Sequence, residues 1–253
     1  MYADRKVVVV MPAYNAEATL RRTYDEVMAH RFVDLVIVVD DNSDDRTTAV
    51  ARSLPNTLIH EHERRLGYGA NQKTCYRLAL EHGADIVVMV HPDYQYTPAL
   101  LPALVSLIVS GEYACVLGSR ILGGRARDCQ MPWWRYLANR VLTTIDNVLM
   151  GAKLSDFHTG YRAYSRELLL ALTLDGNSDD YVFDNQILAQ VLWHRFRIGE
   201  VSCPARYTAE SSSISFRRSV VYGFGCIATA IIFRLARAGL LSSRLFEPLG
   251  PRA

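Results

Sequence analysis

The sequence has no C-x-x-C pair. Its five cysteines, Cys75, Cys115, Cys129, Cys203 and Cys226, are odd in number and scattered. That argues against a disulfide framework and a structural zinc site, and points to a reducing compartment. Excess charge is small: 28 basic against 26 acidic residues, a formal +2. A dedicated duplex DNA binder carries a strong basic excess, so no nucleic-acid partner is expected. Long apolar runs are also missing. The longest, Val220 to Phe233, has 14 residues, against roughly 20 for a spanning helix. A strand-like run begins at Lys6 with no signal peptide before it. The expected location is cytoplasmic. Half of the 253 residues are hydrophobic and 21% are charged, which suits one α/β domain with an appendage.

What is present is an alternation. Val7–Val10, Val36–Val39, Leu58–Ile59, Ile86–Val90 and Cys115–Leu117 read as strands, and their unbroken apolar runs suit strands covered on both faces. Helical patterns lie near 17–29, 44–54, 69–82 and 98–109, with Asp44 as an N-cap and Pro98 in a first turn. The alternation predicts a parallel sheet with right-handed crossovers, whose ligands sit at the carboxyl ends of the strands. Beyond residue 120 come a loop at 123–128, a helix over 134–150 and a polar turn at 155–160. Helices over 165–172 and 182–194, a strand over 197–203 and a flexible Ser211-Ser212-Ser213 follow. Residues 217–241 predict a basic amphipathic helix. The division expected is a catalytic domain over 1–210 and a basic helical tail over 211–253. Residues 206–253 hold seven Arg against two Glu, which suits either an anionic partner or a solvated basic face.

The strand at Val36–Val39 ends in Asp40-Asp41-Asn42-Ser43-Asp44-Asp45. A calcium loop fails, because Asp45 and Ala51 stand where Gly and Glu belong. An aspartyl-phosphate nucleophile fails for want of Asp-x-Asp-x-Thr. A nucleotide pocket and a capped turn of solvated acids both stand. The strand at Ile86–Val90 ends in His91-Pro92-Asp93-Tyr94-Gln95-Tyr96. Asp93 suits a divalent ion held against a diphosphate, and His91 suits a second ligand if that ion is Mn²⁺. A hydrogen-bonded surface role for His91, and packing roles for Tyr94 and Tyr96, remain open. Gly67-Tyr68-Gly69-Ala70-Asn71-Gln72 lacks the third glycine of a dinucleotide fingerprint. Its glycines shape a turn before a helix whose amides could face a phosphate.

In order, Val7 to Asn15 with its Pro-x-Tyr-Asn turn, Val39 to Ser43, Gly67 to Asn71, Gly118-Ser119-Arg120, and Asp156 with Thr159 to Arg162 resemble the family 2 glycosyltransferases. The likeness is greatest to the polyprenyl-phosphate (dolichol-phosphate) sugar synthases and covers roughly residues 5–210. It implies a GT-A type nucleotide-diphospho-sugar transferase fold, an α/β architecture with a Rossmann-like, mostly parallel sheet. It implies that Pro12, Tyr14 and Asp41 hold the base and ribose, and that Asp93 is the metal ligand. It places Gln95, Arg120 and Arg135 along the donor sugar and phosphates, and Asp156 and Arg162 on the acceptor side. It implies an inverting transfer from a UDP- or GDP-linked sugar, with Mn²⁺ or Mg²⁺, to a polyprenyl phosphate.

This sequence departs from that family's pattern at Ala16, at His91 in place of the first metal-motif Asp, and at Ser211-Ser212-Ser213-Ile214, where the pyrophosphate Lys is missing. Arg206, Arg217 or Arg218 is the candidate replacement for that charge. No transmembrane pair follows the catalytic domain. Asp184 is the candidate base if the acceptor is a hydroxyl, since an ionised phosphate needs none. A saccharide or small-molecule acceptor, and a nucleotide-sugar binding protein without transfer, are the rival readings. Val220, Val221, Phe224, Ile227, Ala228, Ile231, Ile232 and Leu235 recur at helical spacing. That stripe predicts a membrane-surface helix on the inner membrane, a helix packed on the catalytic core, or a homo-oligomer contact through Gly223, Gly225 and Ala228.

Overall fold

A computed structural model describes residues 1–123, 131–206 and 216–246, apart from the side chain of Phe216. Most of the 123–128 loop, the Ser211–Ile214 segment, Cys129 and the expected boundary at residue 210 lie outside the described residues. The elements run β1 (Val7–Ala13), α1 (Leu20–Met28), β2 (Val33–Asp40), α2 (Thr47–Arg52), β3 (Thr57–Glu61), α3 (Tyr68–Glu81), β4 (Ile86–Met89), α4 (Leu101–Val109) and β5 (Cys115–Ser119). Then follow α5 (Trp133–Met150), β6 (Arg162–Ser165), α6 (Arg166–Ala171), α7 (Phe183–Trp193), β7 (Ile198–Ser202) and α8 (Phe216–Arg237).

One seven-stranded sheet has the order β3-β2-β1-β4-β6-β5-β7. β1 pairs in parallel with β2 and β4, β2 with β3, and β5 with β7. β6 runs antiparallel between β4 and β5, so the sheet is mostly, not wholly, parallel. Alternate β1 residues feed two cores, as a two-residue period requires. Val7, Val9 and Met11 join α1 and α4 on one face. Val8 and Val10 join α3, α7 and α8 on the other. Full burial of each such side chain is worth about 1.5–3 kcal/mol. Pro12 is tolerated in this central strand because the β4 ladder covers only Val7–Val10.

Three local expectations change. The α2 N-terminus is served by Asp45, whose Oδ1 accepts from Thr47 N at 2.9 Å, rather than by Asp44. Pro98 opens a short 3₁₀ turn ahead of α4, with Thr97 Oγ1 accepting from Ala99 N. α8 ends at Arg237, and the stretch Arg217–Arg237 is long and apolar enough to cross a membrane by length and composition. Ser219 and Arg234 bound the 14-residue run Val220 to Phe233, so a count that stops at those polar residues falls short of that length.

Candidate active site

β1 neighbours β2 on one side and β4 on the other, so the chain reverses direction across the sheet at this point. Ligands in such sheets sit in the crevice beyond the strand ends there. Past each of these three strand ends one non-glycine residue adopts positive φ: Asn15 (49°), Asn42 (58°) and Tyr94 (57°). For a bulky tyrosine that backbone costs about 1–3 kcal/mol, a strain that clusters at functional sites.

Two adjoining cavities open at these ends. The outer one, about 750 Å³, takes Pro12, Tyr14, Asp41, Arg65, Asn71 and, from α8, Arg218 among its walls. The inner one takes Gln95, Arg120, Trp134, Arg135, His158 and Tyr222. Tyr68, His91, Asp93 and Tyr181 line both. The outer volume suits a nucleotide-sized ligand.

In the outer cavity the Arg65 guanidinium lies 3.8 Å above the Tyr14 ring. Asp41 is buried, and its oxygens accept from Leu66 N (2.8 Å), Gly67 N (2.9 Å) and His62 Nδ1 (2.8 Å). It therefore fastens the 62–67 loop as well as lining the cavity. The amides of Gly69 and Ala70, two of the α3 amides expected to face a phosphate, are taken instead by Asp179 O. Gly67 is required here: its φ is +107°, and a Cβ would meet Asp179 O at 2.6 Å.

At the junction, Asp93 Oδ1 accepts from Gln95 N at 3.0 Å. His91 stacks on Tyr68, and Tyr68 on Tyr181, with ring centroids 5.6 and 4.8 Å apart. Tyr68 Oη donates to Asp184 Oδ2 at 2.8 Å and lies 3.1 Å from His91 Nε2. Burial first, then the charge of Asp184, pushes the Tyr68 pKa well up, so its single proton stays in place. That proton serves the carboxylate, so His91 Nε2 must be the donor to Tyr68. In the neutral ring the Nδ1 lone pair is then left over. Gly160 admits this arrangement, because a Cβ there would stand 2.4 Å from His91 Nε2.

Asp184, the candidate base, lines the inner cavity, but both its oxygens already accept. Tyr68 donates to one and Gln72 Nε2 to the other at 3.0 Å. Behind it Arg162 is fully buried, 3.7 Å from Asp184 Oδ1, and donates to the carbonyls of Thr159, Asp184 and Phe157. Arg162 was expected on the acceptor side. The structure places it inside the core, where it balances Asp184. Asp156 is equally buried and lines neither cavity. It grips Arg120 through two bonds (2.8 and 3.0 Å) and accepts from Asn139 Nδ2. Burial works to raise its pKa, yet the Arg120 guanidinium holds the carboxyl well below the usual range. Asp156 is thus a positioning residue for Arg120.

The sequence did not single out Tyr68, Tyr181, Arg65, His158 or Tyr222. Tyr68 lay inside the quoted glycine turn, while the others have no local signal. Tyr94 packs away from the cavities under Arg22, whereas Tyr96 lines the inner one and accepts from Gly160 N at 3.1 Å.

The UDP-N-acetylglucosamine–dolichyl-phosphate N-acetylglucosaminyltransferase of Methanococcus voltae is 26% identical over 251 residues, 93% of this chain and 98% of the relative. The dolichyl-phosphate hexose transferase of Haloferax volcanii is 29% identical over 215 residues, 84% of this chain and 88% of the relative. Among solved structures, glucosyl-3-phosphoglycerate synthase from Mycobacterium tuberculosis superposes with a TM-score of 0.70 at 25% identity, covering 95% of this chain and 83% of that one. The same enzyme with Mn²⁺, UDP-glucose and phosphoglyceric acid bound gives a TM-score of 0.68 at 25% identity, with 95% and 82% covered. The family model described as glycosyl transferase family 2 matches residues 8–173, and the chain belongs to that family as a glycosyltransferase.

Proposed function

We propose that this glycosyltransferase moves a sugar, with inversion and with a divalent cation, from a nucleoside-diphosphate sugar to a polyprenyl phosphate. The outer cavity takes the base, ribose and diphosphate, and the inner one takes the sugar and the acceptor phosphate. The observation that carries the acceptor class is the state of Asp184. Among the described residues, the carboxylates lining the inner cavity are Asp93 and Asp184, and each Asp184 oxygen is already held by one hydrogen bond, which leaves it only a second lone pair. A hydroxyl acceptor needs a base within reach. A phosphate monoester, with a second pKa near ~6, is largely ionised at neutral pH and attacks without one. The same commitment of Asp184 disfavours a carboxylate nucleophile, and so favours a single in-line displacement over a covalent intermediate.

Asp93 and His91 would hold the cation. One carboxylate and one imidazole suit Mn²⁺ at least as well as Mg²⁺. Among the described residues no three His, Cys, Asp or Glu side chains form a metal cluster, which fits an ion shared with the diphosphate rather than caged by protein. The cation supplies charge neutralisation to the leaving diphosphate. Arg120, fixed by Asp156, and Arg135 add positive charge along the inner cavity, and Arg218 adds it at the outer one. Tyr68 keeps His91 oriented, and Trp134 and Tyr222 wall off water.

The test is release of nucleoside diphosphate on adding acceptor. Wild type with Mn²⁺ should turn over, and excess chelator or Asp93→Ala should nearly abolish turnover while thermal unfolding stays cooperative. Full activity in either case contradicts the metal-dependent reading.

A further inference from the structure

Among the described residues, nine of the fifteen large apolar side chains left exposed lie on just two helices, α5 and α8, which pack side by side. On α5 they are Trp133, Leu137, Val141 and Val148, with Trp133 76% and Val148 71% exposed. On α8 they are Val220, Val221, Phe224, Ile231 and Leu235, with Phe224 71% exposed. Steps of three and four residues place each set along one stripe of its helix. α8 is therefore apolar twice over. Cys226, Thr229, Ala230 and Phe233 are buried, with Phe233 against Trp193 and Phe246 at 5.8 and 5.4 Å, while the exposed stripe faces outward.

The exposed charges that the two helices themselves carry are of one sign. α8 carries Arg217, Arg218, Arg234 and Arg237 and no acid. The one acid of α5, Asp146, is buried. The inner cavity is walled by both helices, through Trp134, Ala138 and Leu142 of α5 and Ser219 and Tyr222 of α8.

We propose that α5 and α8 together form a face that lies on an anionic bilayer surface, with the inner cavity reached from between them. An apolar stripe edged by arginine and lacking acids fits acyl chains beneath anionic headgroups. Two copies meeting through this face would bring like charges together. A spanning α8 would have to strip Phe233 and Ala230 from the second core. The inference deepens the lipid-phosphate reading, because it delivers the acceptor headgroup to the inner cavity while the isoprenoid chain stays in the membrane.

The experiment is flotation of the full chain with vesicles of phosphatidylglycerol and phosphatidylcholine, beside the double variant Leu137→Glu/Phe224→Glu. Neither residue lines a cavity. An unchanged melting temperature and nucleotide affinity certify the variant's fold. If those controls change, the single variant Val148→Glu replaces it. Wild type should float with the anionic vesicles, lose much of its binding at high salt, and resist pure phosphatidylcholine. The double variant should partition about tenfold less or worse.

Wild type that stays in solution, or a variant that floats as wild type does, overturns the proposal. So does a concentration-dependent dimer, broken by the variant, without flotation, and so does resistance to alkaline carbonate extraction, which marks a spanning helix. Flotation without turnover on polyprenyl phosphate would instead retain the face and remove the lipid acceptor. Turnover on detergent-dispersed polyprenyl phosphate without flotation would do the reverse.

Discussion

Tyr68 joins the two halves of the cleft through a single hydroxyl. It donates to Asp184 and receives from His91, which fixes the imidazole tautomer. Partners of this kind behind a metal-binding histidine typically govern affinity by about 10–100-fold. Tyr68→Phe keeps the ring and its stacking on His91 and Tyr181 but removes the hydroxyl. Mn²⁺ affinity of the nucleotide complex, followed by the paramagnetic resonance of free Mn²⁺, should weaken by about that factor. Unchanged affinity would leave His91 outside the metal site. Gly160→Ala addresses the same imidazole from the opposite side. With a Cβ 2.4 Å from Nε2, His91 must move, and turnover should fall at least tenfold while the fold persists. Wild-type turnover in that variant would show that the position of His91 does not matter to transfer.

At the scale of the element, α5 carries a buried acid whose titration can be followed. Burial pushes the Asp146 carboxyl up to about 7, against one opposing hydrogen bond from Asn185. Its neighbour His158, 4.0 Å away, is pushed down to about 4 by its own burial. A folded pKa above the unfolded value means that the folded state holds the proton more tightly. Stability from Asp146 is therefore full below about pH 4 and is lost as pH rises through about 7. Asp146→Asn removes that dependence. Its unfolding free energy should gain on wild type between pH 5 and 8 by on the order of 2–3 kcal/mol, measured by urea denaturation. A pH-independent difference contradicts the assignment. α8 offers a second test through Arg218, which reaches the outer cavity. Arg218→Ala should weaken nucleoside-diphosphate binding by about 10–100-fold and leave nucleoside binding unchanged. Equal losses for both ligands would place the residue on the base rather than the phosphates.

These elements also show what the sequence could and could not reveal. β1, β2 and β4 were legible because their β-branched runs are buried on both faces, and the acids closing β2 and β4 were legible because chemistry gathers at strand ends. β6 was not. It has four residues, Arg162–Ser165, with a buried arginine at its start, and it is a strand only because β4 and β5 flank it. The apolar stripe read on α8 turned out to be largely its exposed side. Periodicity finds a face but does not say what covers it, and the buried side is made of Cys226, Thr229, Ala230 and Phe233, a weaker signal. The glycines expected to allow contact between copies serve contact within the chain. A Cβ at Gly225 would strike Val182 Cγ2 at 2.4 Å. Arg162 shows the same limit at the site. Its place in a family-like segment suggested ligand contact, while its depth beneath Asp184 is a property of the folded sheet alone.

For the molecule as a whole, two cavities meet beyond the end of β4, and α5 and α8 wall the inner one. The account's central claim is that a sugar passes between these cavities onto a lipid phosphate, with no base drawn from the protein. The most direct measurement is mass spectrometry of the organic-phase product when the enzyme is given a nucleoside-diphosphate sugar, Mn²⁺ and polyprenyl phosphate, with phosphoglyceric acid and a free saccharide as competing acceptors. The account predicts one glycosyl unit added to the polyprenyl phosphate, matched by one equivalent of nucleoside diphosphate. Glycosylated phosphoglycerate or saccharide, with the polyprenyl phosphate unmodified, would contradict it.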